Sequence, residues 1–177
     1  HSSGAIFAGT DSSLFRSTNG GAGWQQIDFG LSPLSVPSLL IDSSGTVYVG
    51  TGSGTVFQST DVGVTWTQLG SGLQGKVQSL TKDKAGGFFA GTSYALFRLT
   101  NNGQSWEEKT SNISGVTCYG FTTTFGSQIY AATHRGIFTS ADYGSSWNLV
   151  YSSSTNTPRA ITAKSNGVVF AGMASGM

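Results

Sequence analysis

The chain has 177 residues, 10% of them charged and 26 of them glycine, and its nine basic and eight acidic side chains leave a net charge of +1. No basic cluster exists that would neutralise several phosphates, so nucleic acid is not an expected partner, and no apolar run approaches the ~18–20 residues of a membrane helix. The single cysteine, Cys118, excludes an internal disulfide and a cysteine-built metal site, and neither a metal nor a cofactor is expected.

Ser, Thr and Asn replace charge as the source of polarity, a balance that suits short strands joined by tight turns. From the N-terminus, a first unit (1–35) offers the strand IFAGT (6–10), an apolar pair ending at Phe15, and the polar run STNGGAGW (17–24). The second unit (36–76) adds a strand in front, VPSLLID (36–42), followed by VYVGT (47–51), VFQST (56–60), the turn STDVGVTW (59–66) and WTQLG (66–70). The third (77–115) runs VQSLTKD (77–83), FFAGT (88–92), an apolar pair ending at Phe97, and LTNNGQSW (99–106). The fourth (116–157) runs VTCYGF (116–121), IYAAT (129–133), an apolar pair ending at Phe138, SADYGSSW (140–147) and WNLVY (147–151). A fifth (158–177) has only RAITAKS (159–165) and VFAGM (169–173).

These units are copies of one module. Trp24, Trp66, Trp106 and Trp147 are 42, 40 and 41 residues apart, and Gly9, Gly50, Gly91, Ala132 and Gly172 follow the same register. Four short strands, A to D, in ~40 residues is the period of a propeller blade. An α-solenoid of similar period fails, because Gly, Ser and Thr fill the would-be helix interiors and no stretch has helical apolar spacing. The fold expected is all-β, a β-propeller of four-stranded antiparallel blades, about four of them, counted B-C-D, three times A-B-C-D, then A-B. The chain starts and stops in mid-repeat. It therefore reads as an excerpt of a longer chain with further blades, or as one whose copies join head to tail, since open edge strands otherwise invite aggregation.

The run STDVGVTW raises the question whether Asp61 is a catalytic carboxylate or part of a turn. A side-chain oxygen at the third position can accept nearby backbone N–H groups. Gly at the fifth can adopt positive φ. The terminal Trp can bury its ring against the hairpin and the neighbouring blade, its N–H finding a backbone acceptor. The copies read Ser17-Asn19-Gly21-Trp24, Ser59-Asp61-Gly63-Trp66, Leu99-Asn101-Gly103-Trp106 and Ser140-Asp142-Gly144-Trp147. An acid–base carboxylate would not become an amide in two of four copies. Asp61 and Asp142 are thus read as turn residues, and no catalytic residue is assigned.

These runs follow the pattern Ser/Thr-x-Asp-x-Gly-x-x-Trp, and on them the chain resembles the Asp-box (bacterial neuraminidase repeat) propellers, which include sialidase-, xyloglucanase- and sortilin-like members. The resemblance implies ligands on the rim opposite the Asp boxes, where the segments 28–35, 70–76, 111–115 and 151–158 and the B–C turns lie. Lys76, Tyr94, His134, Arg135 and Tyr151 are the candidate ligand-binding residues there, set against the plainer reading of ordinary loop residues. His134-Arg135 is the most interesting pair, because His titrates near neutrality and Arg grips carboxylates in a fork. Sialidases of the superfamily use three arginines, an Asp acid/base and a Tyr–Glu nucleophile pair. Here the arginines are Arg16, Arg98, Arg135 and Arg159, and Glu107 and Glu108 follow a repeat Trp on an outer strand, so that constellation does not assemble. The reading that results is a noncatalytic scaffold or recognition module for a protein or glycan, bacterial and secreted, cell-surface or periplasmic. The alternative is a fragment of a glycoside hydrolase whose catalytic residues lie outside this segment. Asn112-Ile113-Ser114 is a glycosylation sequon, and Cys118 reads as a small buried hydrophobe.

Overall fold

The structure, a computed structural model, describes residues 1–29, 34–83, 85–110, 112–113, 115–124, 128–152, 154–164 and 166–175. Five antiparallel sheets follow one another along the chain. The first holds β1 (Ile6–Gly9), β2 (Leu14–Ser17) and β3 (Gln25–Ile27). The second holds β4 (Ser38–Ile41), β5 (Val47–Gly50), β6 (Val56–Ser59) and β7 (Thr67–Gln68). The third holds β8 (Val77–Lys82), β9 (Phe88–Thr92), β10 (Leu96–Thr100) and β11 (Ser105–Glu108). The fourth holds β12 (Cys118–Thr123), β13 (Ile129–Thr133), β14 (Gly136–Ser140) and β15 (Asn148–Ser152), and the fifth β16 (Pro158–Ala163) and β17 (Val169–Met173). Each sheet is a meander of sequential neighbours. The molecule is an arc of about four propeller blades.

The first strands of successive blades touch one another, which places them on the inside of the arc. Side-chain hydroxyls tie them: Ser38 Oγ donates to the Val77 carbonyl at 2.9 Å, and Ser79 Oγ accepts the Phe121 amide at 3.0 Å. The second strands are sandwiched between blades, so β5 and β9 are buried along their whole length rather than on alternate residues. Their register glycines are there for close approach. A Cβ at Gly50 would lie 2.3 Å from Ser38 Oγ and 2.4 Å from Val77 Cγ1, and one at Gly91 would lie 2.7 Å from Cys118 Sγ. Strand A of the next blade passes directly over them.

Among the described residues the core is divided into three apolar clusters, one for each of the first three junctions between consecutive sheets. Leu14, Ile27, Val36 and Val49 fill the first, with Phe29, Phe57 and Trp66 against them. Tyr48, Val77, Phe88, Phe97 and Trp106 fill the second, and Phe89, Cys118, Phe121, Phe138 and Trp147 the third. Burial pushes the Cys118 thiol up, as a small hydrophobe would have it. In each cluster the indole comes from the later blade. Trp106 Nε1 donates to the Leu69 carbonyl at 2.9 Å and Trp147 Nε1 to the Lys109 carbonyl at 2.7 Å.

The other two indoles depart from the expectation that each finds a backbone acceptor. Trp66 packs on Phe29, ring centroids 4.9 Å apart, but its buried N–H has no partner among the described residues. Trp24, on the first of the described sheets, is 46% exposed. The sequence also starts each strand D at the Trp, whereas β3, β7 and β15 begin one residue later and β11 one residue earlier.

Candidate functional site

The polar turns between third and fourth strands account for their own chemistry. Ser59 Oγ donates to Asp61 Oδ1 at 2.7 Å and accepts the Gly63 amide at 2.8 Å. The Asp61 carboxylate accepts the Val64 and Thr65 amides at 3.0 and 2.8 Å and the Thr65 hydroxyl. Asp142 repeats the pattern with Ser140, Ser146 N and Ser146 Oγ. The Thr65 hydroxyl and amide hold the Asp61 carboxyl well below the usual carboxylate range, and the Ser146 hydroxyl and amide bring Asp142 to about 2. Carboxylates so fully engaged by local donors are poor general acids. Asn19 does the same work with its amide oxygen, which accepts Ser17 Oγ at 3.0 Å and the Gly23 amide at 2.8 Å. At Asn101 the turn takes another form. Residues Asn101–Gly103 make a 3₁₀ turn, and the Asn101 side chain donates to Gln104 Oε1. With Leu99 where the other copies have Ser, the hydroxyl that organises them is missing.

On the same rim, Asp42 at the A–B turn accepts the Ser44 and Thr46 amides, and its second oxygen meets Lys82 Nζ at 2.7 Å and the Tyr48 hydroxyl at 3.1 Å. Burial pushes the Asp42 carboxyl up, but Lys82, Ser44 and Thr46 outweigh it and the net shift is downward. Lys82 stacks over the Tyr48 ring, 4.8 Å from its centroid. The cluster staples the second blade to the third. Arg16 and Arg98 likewise reach forward one blade: Arg16 Nη1 donates to the Val62 carbonyl at 2.8 Å, and Arg98 lies 5.0 Å over the Tyr143 ring.

The opposite rim is built differently. At the end of strand B a threonine folds its hydroxyl back over the B–C turn. Thr51 Oγ1 donates to the Thr55 carbonyl and accepts the Thr55 amide, both at 3.0 Å. Thr92 treats Ala95 the same way and also accepts the Tyr94 amide. Thr133 bonds Gly136 and Arg135, and Thr10 bonds Ser13. Sequence reasoning registered these threonines only as the ends of the VYVGT-type runs. Their identical position at Thr10, Thr51, Thr92 and Thr133 was the signal that a hydroxyl is required there.

Between these turns the main chain links four of the five candidate residues. Lys76 and Ser93 are paired, Lys76 N to Ser93 Oγ at 3.0 Å and Ser93 N to Lys76 O at 2.9 Å. Thr117 Oγ1 donates to the Ser93 carbonyl at 3.1 Å, and Thr117 N donates to His134 Nδ1 at 3.1 Å. The His134 amide returns a bond to the Thr117 carbonyl. Because a backbone N–H only donates, Nδ1 is the acceptor here and the ring proton sits on Nε2. Tyr94 follows Ser93 and is 51% exposed, Arg135 follows His134, and Lys76, His134 and Arg135 all face solvent. The structure therefore sets Lys76, Tyr94, His134 and Arg135 along one continuous rim. Tyr151 stands apart, on outer strand β15 opposite Ile137.

Of the rim segments, residues 30–33, Ser111, Ser114 and Ser153 lie outside the described residues. So does part of the sequon, through Ser114. Asn112 itself is occupied, its amide holding the Trp147 carbonyl at 2.6 Å and the Trp147 amide at 3.1 Å. Among the described residues no three His, Cys, Asp or Glu groups gather as a metal site requires, and no helix is long and apolar enough to cross a membrane.

No family model matches the chain, and no curated protein matches it in sequence. Solved structures do match in fold. The extracellular domain of the B. thetaiotaomicron protein BT4673 superposes with a TM-score of 0.79 at 15% identity, over 96% of this chain and 25% of that one. An ancestral GH74 enzyme gives 0.74 at 17%, over 97% and 26%. YCF48, solved bound to a D1 peptide, gives 0.64 at 19%, over 92% and 55%. The chain thus spans about a quarter of the length of the first two. At these identities the likeness shows the propeller fold.

Proposed function

We propose that the chain is a noncatalytic recognition segment of an Asp-box propeller, binding a protein ligand on the rim opposite the polar turns. The carrying observation is the continuous rim of Lys76, Tyr94, His134 and Arg135, whose main chain is held by hydrogen bonds while the side chains of Lys76, Tyr94 and Arg135 face solvent beside the His134 ring that Thr117 N holds at Nδ1. A rigid main chain under exposed cationic and aromatic side chains suits recognition, because little backbone order is lost on binding. Within this segment Asp61 and Asp142 are engaged by turn amides and Asp42 by Lys82 and Tyr48, which supports reading them as structural.

The peptide carried by YCF48, a propeller of like fold, supports a protein ligand over a glycan. The extracellular neighbours support a secreted, cell-surface or periplasmic bacterial setting. We take the units 1–35, 36–76, 77–115, 116–157 and 158–177 as one propeller segment. Parallel peptide and glycan arrays test the proposal. Peptide binding that Arg135→Ala or Tyr94→Ala weakens about tenfold or more, while Thr65→Ala on the other rim leaves it unchanged, is the expected result. Ligand binding insensitive to every rim substitution, or turnover of sialosides or β-glucans by the chain, would overturn it.

A further inference from the structure

Three consecutive first strands carry the same irregularity. β8, β12 and β16 each hold one residue more than the strand they pair with. The register shifts between Val77 and Ser79, between Cys118 and Gly120, and between Pro158 and Ala160. The extra residues are Gln78, Tyr119 and Arg159, one in each sheet. A bulge re-aims a side chain, and bulges are over-represented next to active sites. These three lie level with Thr92, Thr133 and Met173 at the ends of the second strands, where the B–C turns begin. Gln78 and Tyr119 are two residues along the chain from Lys76 and Thr117 on the rim. First strands of successive blades adjoin on the inside of the arc, and there the Arg159 guanidinium lies 4.1 Å over the Tyr119 ring.

Charge is sorted between the two rims. Of the eight acidic side chains, Asp42, Asp61, Asp83 and Asp142 sit in the A–B and C–D turns of the far rim. Glu107 and Glu108 are on outer strand β11, where Glu107 meets Lys109 at 2.6 Å and Glu108 takes the Thr110 hydroxyl. Asp11 and Asp28 lie beside the strands of the first sheet. That accounts for all of them. The third, fourth and fifth sheets therefore bring Lys76, His134, Arg135 and Arg159 to this rim with no carboxylate among them. A guanidinium held over a ring keeps its N–H edge for another partner, and that of Arg159 has no hydrogen-bond partner among the described residues.

We propose that this sector seats an acidic peptide. One carboxylate enters the fork of Arg159, which Tyr119 holds in place, and further carboxylates lie over Arg135 and Lys76. The proposal rests on the rim being the recognition face, and it adds the chemistry of the partner and an inner tier of residues. A cationic sector without acids of its own attracts an acidic chain and fixes its register. The stack on Tyr119 preorganises the guanidinium, so less side-chain freedom is lost when the fork closes.

Calorimetric titration of the whole chain with hexaglutamate, hexaglutamine and an oligogalacturonate of matched charge tests this. Hexaglutamate should bind, hexaglutamine should not, and the affinity should fall as salt rises. Arg159→Gln and Arg159→Lys should each weaken binding about tenfold, the second because an ammonium keeps the charge but not the fork. Lys164→Gln removes the same charge at the other end of β16 and should change nothing. Far-UV circular dichroism should be the same for every variant. Hexaglutamate that fails to bind would overturn the proposal, while array peptides that still depend on Arg135 and Tyr94 would leave the rim's role intact. Binding that Arg135→Ala weakens but neither Arg159 variant does would overturn the inner seat. Equal losses with Lys164→Gln, or tighter binding of the oligogalacturonate, would overturn the acidic peptide as the partner.

Discussion

Val62 is held at φ 59°, in the left-handed region, between Asp61 and Gly63. The equivalent residues are Gly20, Asn102 and Tyr143, all at positive φ, so the turn imposes this geometry and not the residue. A left-handed L-residue costs roughly 1–2 kcal/mol, and a β-branched one sits there least comfortably. Val62→Asn should therefore stabilise the fold by about 1 kcal/mol in urea unfolding, because the Arg16 contact uses the main-chain carbonyl and survives. An unchanged midpoint would show that the turn relaxes around Val62.

Acid acts through Asp142. Its folded carboxyl titrates at about 2, below the ordinary 3.8, so its contribution is complete above the unfolded value and is lost as pH falls through the folded one. Asp142→Asn, which keeps the acceptor oxygen as Asn19 does, should lower Tm at neutral pH. The gap to the wild type should close between about pH 4 and pH 2. A gap that stays constant would mean the charge contributes nothing.

The blade junctions make a sharper prediction, because one repeated residue occupies two different environments. Trp106→Ala empties a site that is 5% exposed and leaves the Leu69 carbonyl without its donor, for an expected loss of about 3–5 kcal/mol. Trp24→Ala, at an indole 46% exposed, should stay within about 0.5 kcal/mol. The glycines follow the same logic. Gly50→Ala drives a methyl into Ser38 and Val77, at a cost of about 1–3 kcal/mol. Gly172→Ala, whose nearest neighbour is Ala160 Cβ at 3.7 Å, should be near neutral. Equal losses at both glycines, in chemical denaturation, would contradict the close-approach explanation.

What was legible in the sequence, and what was not, also divides by element. Strands and polar turns announce themselves, because runs dense in β-branched and aromatic residues and a Ser-Asp-Gly-Trp spacing each carry a local mechanism. The two departures are local as well. The 3₁₀ turn at Asn101 follows from Leu99 replacing a hydroxyl, and the unpartnered Trp66 N–H depends on the blade in front of it. The rim was harder. Lys76, Ser93, Thr117 and His134 join through bonds between main chain and side chain 17 and 24 residues apart, which no local pattern encodes.

At the scale of the whole molecule, three junction cores stand in series, so stability is a sum over neighbours rather than the property of one centre. Hydrogen exchange should be slowest in β8–β10, flanked by a full blade on each side, and faster in β1–β3 and β16–β17. Uniform protection along the arc would indicate a single cooperative unit.

The buried threonines at the roots of the B–C turns carry a consequence for how such a molecule diversifies. Each hydroxyl closes its turn at the base, and Ser93 and His134 tie two of the tips to a neighbouring blade, so the exposed side chains of Tyr94 and Arg135 are the ones left without such a bond among the described contacts. Tyr94 and Arg135 are thus interchangeable cartridges in a fixed magazine. New specificities can be tried at one tip without disturbing the walls that hold the others.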